Sequence, residues 1–514
     1  MTKAEKFKQL TCTEGVRNDL RGKSVRAATY TWATGLADFV LRIGSTAILA
    51  RLVLPAEFGL VMMVMAVTAI ADQFRDLGLS SATVQRKEIS HEEVSNLFWV
   101  NVLAGVVITS IVCAMSPLVS LYYKEPRLTV LTCVLATNFI WGGLLVQHQA
   151  LLTRQLKLGY TSGIRLSSSF LSTILAIFLA WKGMGCWALV WREVARNVML
   201  AVGMWFCMPW VPGLPSWKTD IRGLVGFGAH LSAANILTTI SSTADRFFLG
   251  RYWGAGPVAM YRQAYQLLVV PMDQLLSPLY NVTNPGLCLL QTDELRFRRF
   301  FLKVLTVACI ACMPLSLFVA VYATEITRVV LGRHWMDCTQ ILLVLSLGTF
   351  IKSPVTWSEH VLIARGRSQV FMLLNIANSV VVILLMAIGV RWGVIGIAFA
   401  DVTATYLFTA PRLYFSFKNS PVTVGMFFST LVRPAVCSLL MAALLIFMRQ
   451  SLPPFSRPVS LALGSVAALI IFPAIWMLMP GGRSELLALV SDVRSALRRK
   501  VSGKQTVEPV PAAN

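Results

Sequence analysis

Residues 369–390 read QVFMLLNIANSVVVILLMAIGV, residues 391–393 read RWG, and residues 394–416 read VIGIAFADVTATYLFTAPRLYFS. At about 1.5 Å of rise per residue, each apolar run is long enough as a helix to cross a hydrocarbon core of about 30 Å. The three residues between them include a glycine and leave no room for anything but an antiparallel return. The stretch therefore reads as a membrane hairpin, and no soluble fold accommodates it.

Working outward from this hairpin, similar runs recur along the whole chain. Approximate spans lie at 28–52, 58–78, 97–121, 129–152, 163–182, 186–206, 226–249, 258–283, 301–323, 338–363, 369–390, 394–416, 428–448 and 459–479, which makes 14 candidate helices. Connections are short and carry turn chemistry, as in Lys124-Glu125-Pro126, Gly254-Ala255-Gly256-Pro257 and Pro453-Pro454. The composition agrees: 56% of the 514 residues are hydrophobic, 14% are charged, and mean hydropathy is +0.66. Soluble domains are about a quarter charged.

The net charge of +22, from 46 Lys and Arg against 24 Asp and Glu, would suggest nucleic acid in a soluble protein. Here its distribution indicates topology instead. The N-terminal stretch is basic (Lys3, Lys6, Lys8, Arg17, Arg21, Lys23, Arg26) and leads into a long span without a cleavage pattern, so a retained first helix and a cytoplasmic N-terminus are expected. With 14 spans, Lys and Arg favour the cytoplasmic side by about three to one. The clusters are Arg86-Lys87, Arg154 with Lys157 and Arg165, Arg296-Arg298-Arg299-Lys303, Arg365 with Arg367, and Arg498-Arg499-Lys500.

The RWG turn has a counterpart. Trp181-Lys182-Gly183-Met184-Gly185-Cys186-Trp187-Ala188 joins spans 5 and 6 as Arg391-Trp392-Gly393-Val394-Ile395-Gly396-Ile397-Ala398 joins spans 11 and 12, at an offset of 210. The basic turn at Arg154–Lys157 matches Arg365–Arg367, and Ala50-Arg51-Leu52 matches Gly250-Arg251-Tyr252. Three similarities in order favour a duplicated six-helix unit. An even number of helices keeps both copies in the same orientation, as parallel repeats. The expected map is a cytoplasmic tail at 1–27, an N-lobe at 28–206, a cytoplasmic linker at 207–225, a C-lobe at 226–416, two further spans within 428–479 and a cytoplasmic tail at 480–514.

Ionisable groups held at membrane depth are costly and usually face a wet cavity or a partner. The cations here are Arg42, Arg75, Arg192, Arg196, Arg246, Arg262 and Lys352, and the acids are Asp38, Asp72, Asp76, Glu193, Asp245, Asp273, Glu359 and Asp401. Spacing offers local neutralisation for Asp38 with Arg42, for Asp72 and Asp76 with Arg75, and for Glu193 with its neighbouring arginines. Lys352 has no acid within four residues, leaving cavity exposure or a partner on another helix. Asp245 and Arg246 are adjacent, and adjacent helical residues are expected to point apart. Arg51 and Arg251 close their spans and are expected to snorkel to headgroups. Fixed cations suit an anionic ligand, with the planar guanidinium favoured for phosphate, and repel cationic drugs. Asp245, Asp273, Glu359 and Asp401 are either proton- or Na⁺-coupling groups or satisfied interhelical hydrogen bonds.

The chain contains no phosphate-cradling GxxxxGK[ST], no His-Glu-x-x-His and no Gly-x-Ser-x-Gly, and its five histidines have no ligand spacing. Its ten cysteines, the Cys309-x-x-Cys312 pair included, read as small buried hydrophobes, so no metal, cofactor or nucleic acid is expected. A membrane-embedded polymerase would need a large outward loop, and none is present in this reading.

An ordered series of motifs carries a resemblance. Leu49-Ala50-Arg51-Leu52, Pro55-Ala56-Glu57-Phe58-Gly59-Leu60, Gly78-Leu79-Ser80-Ser81-Ala82, Gln85-Arg86-Lys87, Gly185-Cys186-Trp187-Ala188, Asp245-Arg246, Tyr261-Arg262-Gln263-Ala264, Pro271 and Gly332-Arg333-His334-Trp335 follow one another along nearly the whole chain. In this the chain resembles Wzx-type polysaccharide exporters of the multidrug/oligosaccharidyl-lipid/polysaccharide superfamily, in the branch named for lipopolysaccharide, colanic acid or succinoglycan export. The resemblance implies an all-α fold of two six-helix lobes plus two C-terminal helices in the bacterial inner membrane. It also implies flipping of undecaprenyl-diphosphate-linked sugar repeat units by alternating access, with membrane lipids and the polymerase and chain-length regulator of the pathway as partners. Under it, Arg42, Arg192, Arg196, Arg246, Arg262 and Lys352 become candidate substrate contacts. One departure is Pro285-Gly286-Leu287-Cys288-Leu289, where the family has an arginine in a turn after span 8; Gly286 is expected to loosen that turn. A lipid II flippase or a drug/cation antiporter of the same superfamily would share the fold.

Overall fold

The computed structural model describes residues 20–75, 80, 83–84, 89–215, 222–451, 456–480 and 482–483. Its long helices are α1 (Leu20–Leu52), α2 (Pro55–Asp72), α3 (His91–Tyr123), α4 (Arg127–Arg154, interrupted at Thr137), α5 (Leu158–Trp181), α6 (Cys186–Cys207) and α7 (Arg222–Trp253). They continue as α8 (Ala255–Leu289), α9 (Glu294–Val321), α10 (Cys338–Ala364), α11 (Ser368–Gly389), α12 (Gly393–Phe417), α13 (Val424–Ser451) and α14 (Arg457–Leu478). No strand occurs among the described residues.

Among the described residues, ten helical segments are long and apolar enough to cross a membrane. One of them, Ser368–Phe417, is the hairpin of α11 and α12; the long helices outside these segments are α6, α7 and α8, all three of which carry charges at depth. With backbone polar groups satisfied within each helix, the chain can present Leu103, Val107, Leu118, Leu373, Leu384, Leu469 and Leu478 outward, as lipid contact requires.

Local chemistry sets the helix ends. Ser90 and Glu93 form a reciprocal capping box at the start of α3 (3.1 and 2.8 Å). The repeated turns before α6 and α12 reverse through Gly185 and Gly393, both at positive φ (53° and 71°), where a side chain would be strained.

The duplication is visible in the packing. In the first lobe α1 packs on α5, α5 on α6, α3 on α4 and α4 on α6; in the second α7 packs on α11, α11 on α12, α9 on α10 and α10 on α12. α13 packs on α9 and α14 on α13, outside the repeat. In α8, Pro271, Pro278 and Pro285 recur every seventh residue and so share one face, where each removes a backbone donor.

Three local expectations are corrected. α2 ends at Asp72, and Arg75 lies in the turn beyond it, paired with Asp72 at 2.9 Å; Asp76 lies outside the described residues. Residues 285–289 are not a turn, because α8 continues to Leu289 and Gly286 gives room to the Phe300 ring. Arg51 and Arg251 do not simply reach outward: Arg51 donates to the Val329 carbonyl (2.7 Å), and the Arg251 guanidinium lies 6.0 Å from the Tyr122 ring centroid.

Those last two contacts cross between lobes. With them, at the same end of the bundle, the Trp335 indole donates to the Ala50 carbonyl (2.8 Å), Phe247 stacks on Tyr123 (6.3 Å), and Gly59 meets the Ala255 backbone. The α1–α2, α3–α4, α7–α8 and α9–α10 connections all lie at this end. At the opposite end the described ties stay within a lobe, as in Arg154 to the Thr83 carbonyl, Arg367 to the Lys418 carbonyl and Arg365 to Glu294. The lobes are thus sealed together at one end of the bundle.

Candidate substrate cavity

Above this seal lies a cavity of about 300 Å³. Leu49 and Phe58 line it next to the seal, since Phe58 also packs edge-on against Trp335 (5.3 Å). Its walls come from α1, α2, α5 and α6 of the first lobe, and from α8 of the second through Gln263 and Gln266.

Three of the sequence-predicted cations meet here: Arg42, Arg192 and Arg196. They reach one space because α1 and α6 both pack on α5. Arg42 pairs with Asp38 one turn earlier (3.5 Å), and Arg196 pairs with Glu193 (2.8 Å). Arg192 instead donates to the Ser45 hydroxyl (3.3 Å) and has no carboxylate within ion-pair distance among the described residues. Three guanidiniums against two carboxylates leave one positive charge in excess, located on Arg192.

A second cavity, about 200 Å³, lies inside the other lobe between α8, α10 and α12. Lys352 lines it and pairs with Asp401, 49 residues away (3.4 Å), so the two alternatives left open by its sequence both apply. Asp273, Tyr265 and Tyr280 face the same space. Arg246 and Arg262 line neither cavity. Both approach the buried Asp245, at 3.9 and 3.7 Å, and Arg262 also lies over the Tyr265 ring (4.9 Å). The expectation that Asp245 and Arg246 diverge is therefore corrected: burial leaves the carboxylate no solvent, and both guanidiniums turn toward it. Glu359 is paired with Arg412 (3.2 Å) and lines neither cavity.

Sequence reasoning overlooked Gln263 and Gln266. Their spacing of three places them on one face of α8, and the signal was that two neutral amides share a membrane helix with Arg262 and Asp273. It also assigned no role to Glu57, which accepts from the Cys186 amide and lies 3.9 Å from Arg127 at the sealed end. The Cys309 and Cys312 side chains are buried in an apolar cluster with Leu305 and Met313. No group of His, Cys, Asp and Glu among the described residues is arranged to hold a metal ion.

Two parallel six-helix lobes, sealed at one end around a cationic cavity, define a multi-pass membrane protein built as a two-lobed transporter. The chain belongs to the family described as polysaccharide biosynthesis protein, whose model matches residues 48–340. Among its relatives is the lipopolysaccharide biosynthesis protein WzxC of Escherichia coli strain K12, 26% identical over 388 residues, covering 74% of this chain and 77% of that protein. Another is the succinoglycan biosynthesis transport protein ExoT of Rhizobium meliloti, 23% identical over 423 residues, covering 80% and 84%. The fold is shared with the lipid II flippase MurJ in its inward closed conformation (TM-score 0.70, 14% identity, 87% of this chain and 99% of that one). It is also shared with an inward-facing MATE family multidrug transporter (TM-score 0.52, 12% identity, 74% and 93%).

Proposed function

We propose that the protein flips polysaccharide repeat units linked to a polyprenyl diphosphate from the cytoplasmic to the outer leaflet of a bacterial inner membrane. The observation that carries this reading is Arg192, a guanidinium without a carboxylate partner among the described residues, sharing an interlobe cavity with two further arginines. A diphosphate supplies the missing anion, and each charge-assisted hydrogen bond it accepts contributes about 1.5–3 kcal/mol. A cationic drug finds no free carboxylate here, since Asp38 and Glu193 are already paired.

In this reading both termini are cytoplasmic and the sealed end faces outward. The headgroup enters from the cytoplasmic side, fixed guanidiniums replace the water a diphosphate would lose, and the lipid tail stays in the bilayer. Rocking of the lobes then breaks the seal and exposes the headgroup outside. Lys352, Asp401 and Asp273, gathered in the second cavity, are the proposed site of coupling to a proton or Na⁺ gradient.

The test is export in cells lacking the protein. Cells carrying the wild-type chain should transfer lipid-linked repeat units to the outer leaflet, and cells carrying Arg42→Ala with Arg192→Ala should accumulate them inside. Normal export by that variant at wild-type protein level would overturn the reading. In vesicles, collapsing the proton and Na⁺ gradients separately identifies the coupling ion, and indifference to both removes the coupling assignment.

A further inference from the structure

α8 is the wall between the two cavities. Tyr265, Val269, Met272 and Asp273 face the second lobe's cavity, whereas Gln263 and Gln266 face the arginine cavity, whose other lining residues belong to the first lobe. Gln263 is 2% exposed, and its Oε1 has no hydrogen-bond partner among the described residues. A buried amide oxygen without a donor is costly, and because Gln263 also lines the cavity, a ligand there can supply the donor.

The chemistry of that oxygen selects the ligand group. Ionised phosphates only accept hydrogen bonds, so they satisfy guanidiniums and cannot satisfy Oε1. A hydroxyl or acetamido group both donates and accepts, as a glutamine amide does. The cavity thus separates into an anion side on α1 and α6 and a neutral, two-way hydrogen-bonding side on α8.

We propose that Gln263 and Gln266 form a sugar-recognition subsite for the first residue attached to the diphosphate. This rests on the proposed function and adds a consequence: the substrate bridges the lobes, its phosphates held by the first and its first sugar by the second. A bare polyprenyl diphosphate engages one lobe only, so the subsite distinguishes loaded carrier from spent carrier.

The experiment uses the full chain in lipid nanodiscs and two probes, undecaprenyl diphosphate and undecaprenyl diphosphate bearing a single N-acetylhexosamine. The wild-type protein should bind the glycosylated probe about five- to tenfold more tightly, the worth of one neutral hydrogen bond. Gln263→Met, similar in length but without donor or acceptor, should lose the preference and bind both probes equally. Should Gln263→Met fail to fold, Gln266→Met at the half-buried position gives the same readout. Retention of the sugar preference by a folded variant, or equal binding of both probes by the wild type, overturns the subsite while leaving the flippase reading intact. Failure of the wild type to bind either probe overturns both.

Discussion

Trp335, in the connection between α9 and α10, donates its indole N–H to the Ala50 carbonyl near the end of α1, 285 residues earlier and in the other lobe (2.8 Å). The last carbonyls of a helix have no intrahelical partner, so this bond satisfies a group that α1 itself leaves open. Trp335 is fully buried, its ring meets Phe58 edge-on, and Arg51 reaches the same connection at the Val329 carbonyl. The connection therefore acts as a latch between the lobes. Trp335→Phe keeps an aromatic ring and removes the hydrogen bond, at about 1 kcal/mol. Populations should shift about fivefold toward the state open at that end, read as distances between spin labels at Leu54 and Arg333. An unchanged distance distribution would remove the latch.

The seal also depends on Gly59. A Cβ there would run into the backbone of Ala255, which has no flexible end to move aside. Gly59→Ala should leave the protein folded and membrane-inserted but unable to close this end, with export lost at normal protein level. Immunoblotting beside a polymer assay checks this, and undiminished export would show that the lobes need not approach so closely.

Arg192 and Arg196 should respond differently to truncation. Arg192→Ala removes a charge that holds no carboxylate, so thermal stability should hold while affinity for a polyprenyl diphosphate falls tenfold or more. Arg196→Ala leaves Glu193 unpaired and should lower both. Equal loss of stability in the two variants, measured by melting in detergent, would count against Arg192 as a ligand contact.

Lys352 and Asp401 form a pair that is only partly shielded, with 39% and 18% of their side chains exposed. Breaking one partner should cost about 1–3 kcal/mol, below the range for a fully buried pair. Lys352→Met should therefore be less stable than Lys352→Met with Asp401→Asn, in which no charge is left alone. A double-mutant cycle with additive effects would show that the contact contributes nothing.

The membrane class, the approximate number of helices and the internal duplication were legible in the chain because the bilayer imposes a local rule. A stretch of about 20 apolar residues must satisfy its own backbone, and it does so as a helix wherever it stands. The presence of cations at depth was legible for the same reason. Their grouping was not. Arg42, Arg192 and Arg196 share a cavity, Lys352 meets Asp401, Asp245 lies near both Arg246 and Arg262, and the exposed Arg51 also bridges the lobes. These relations depend on how each helix is rotated about its axis and on how closely the lobes approach. Both are set by packing between elements hundreds of residues apart, which hydropathy along a single segment does not encode.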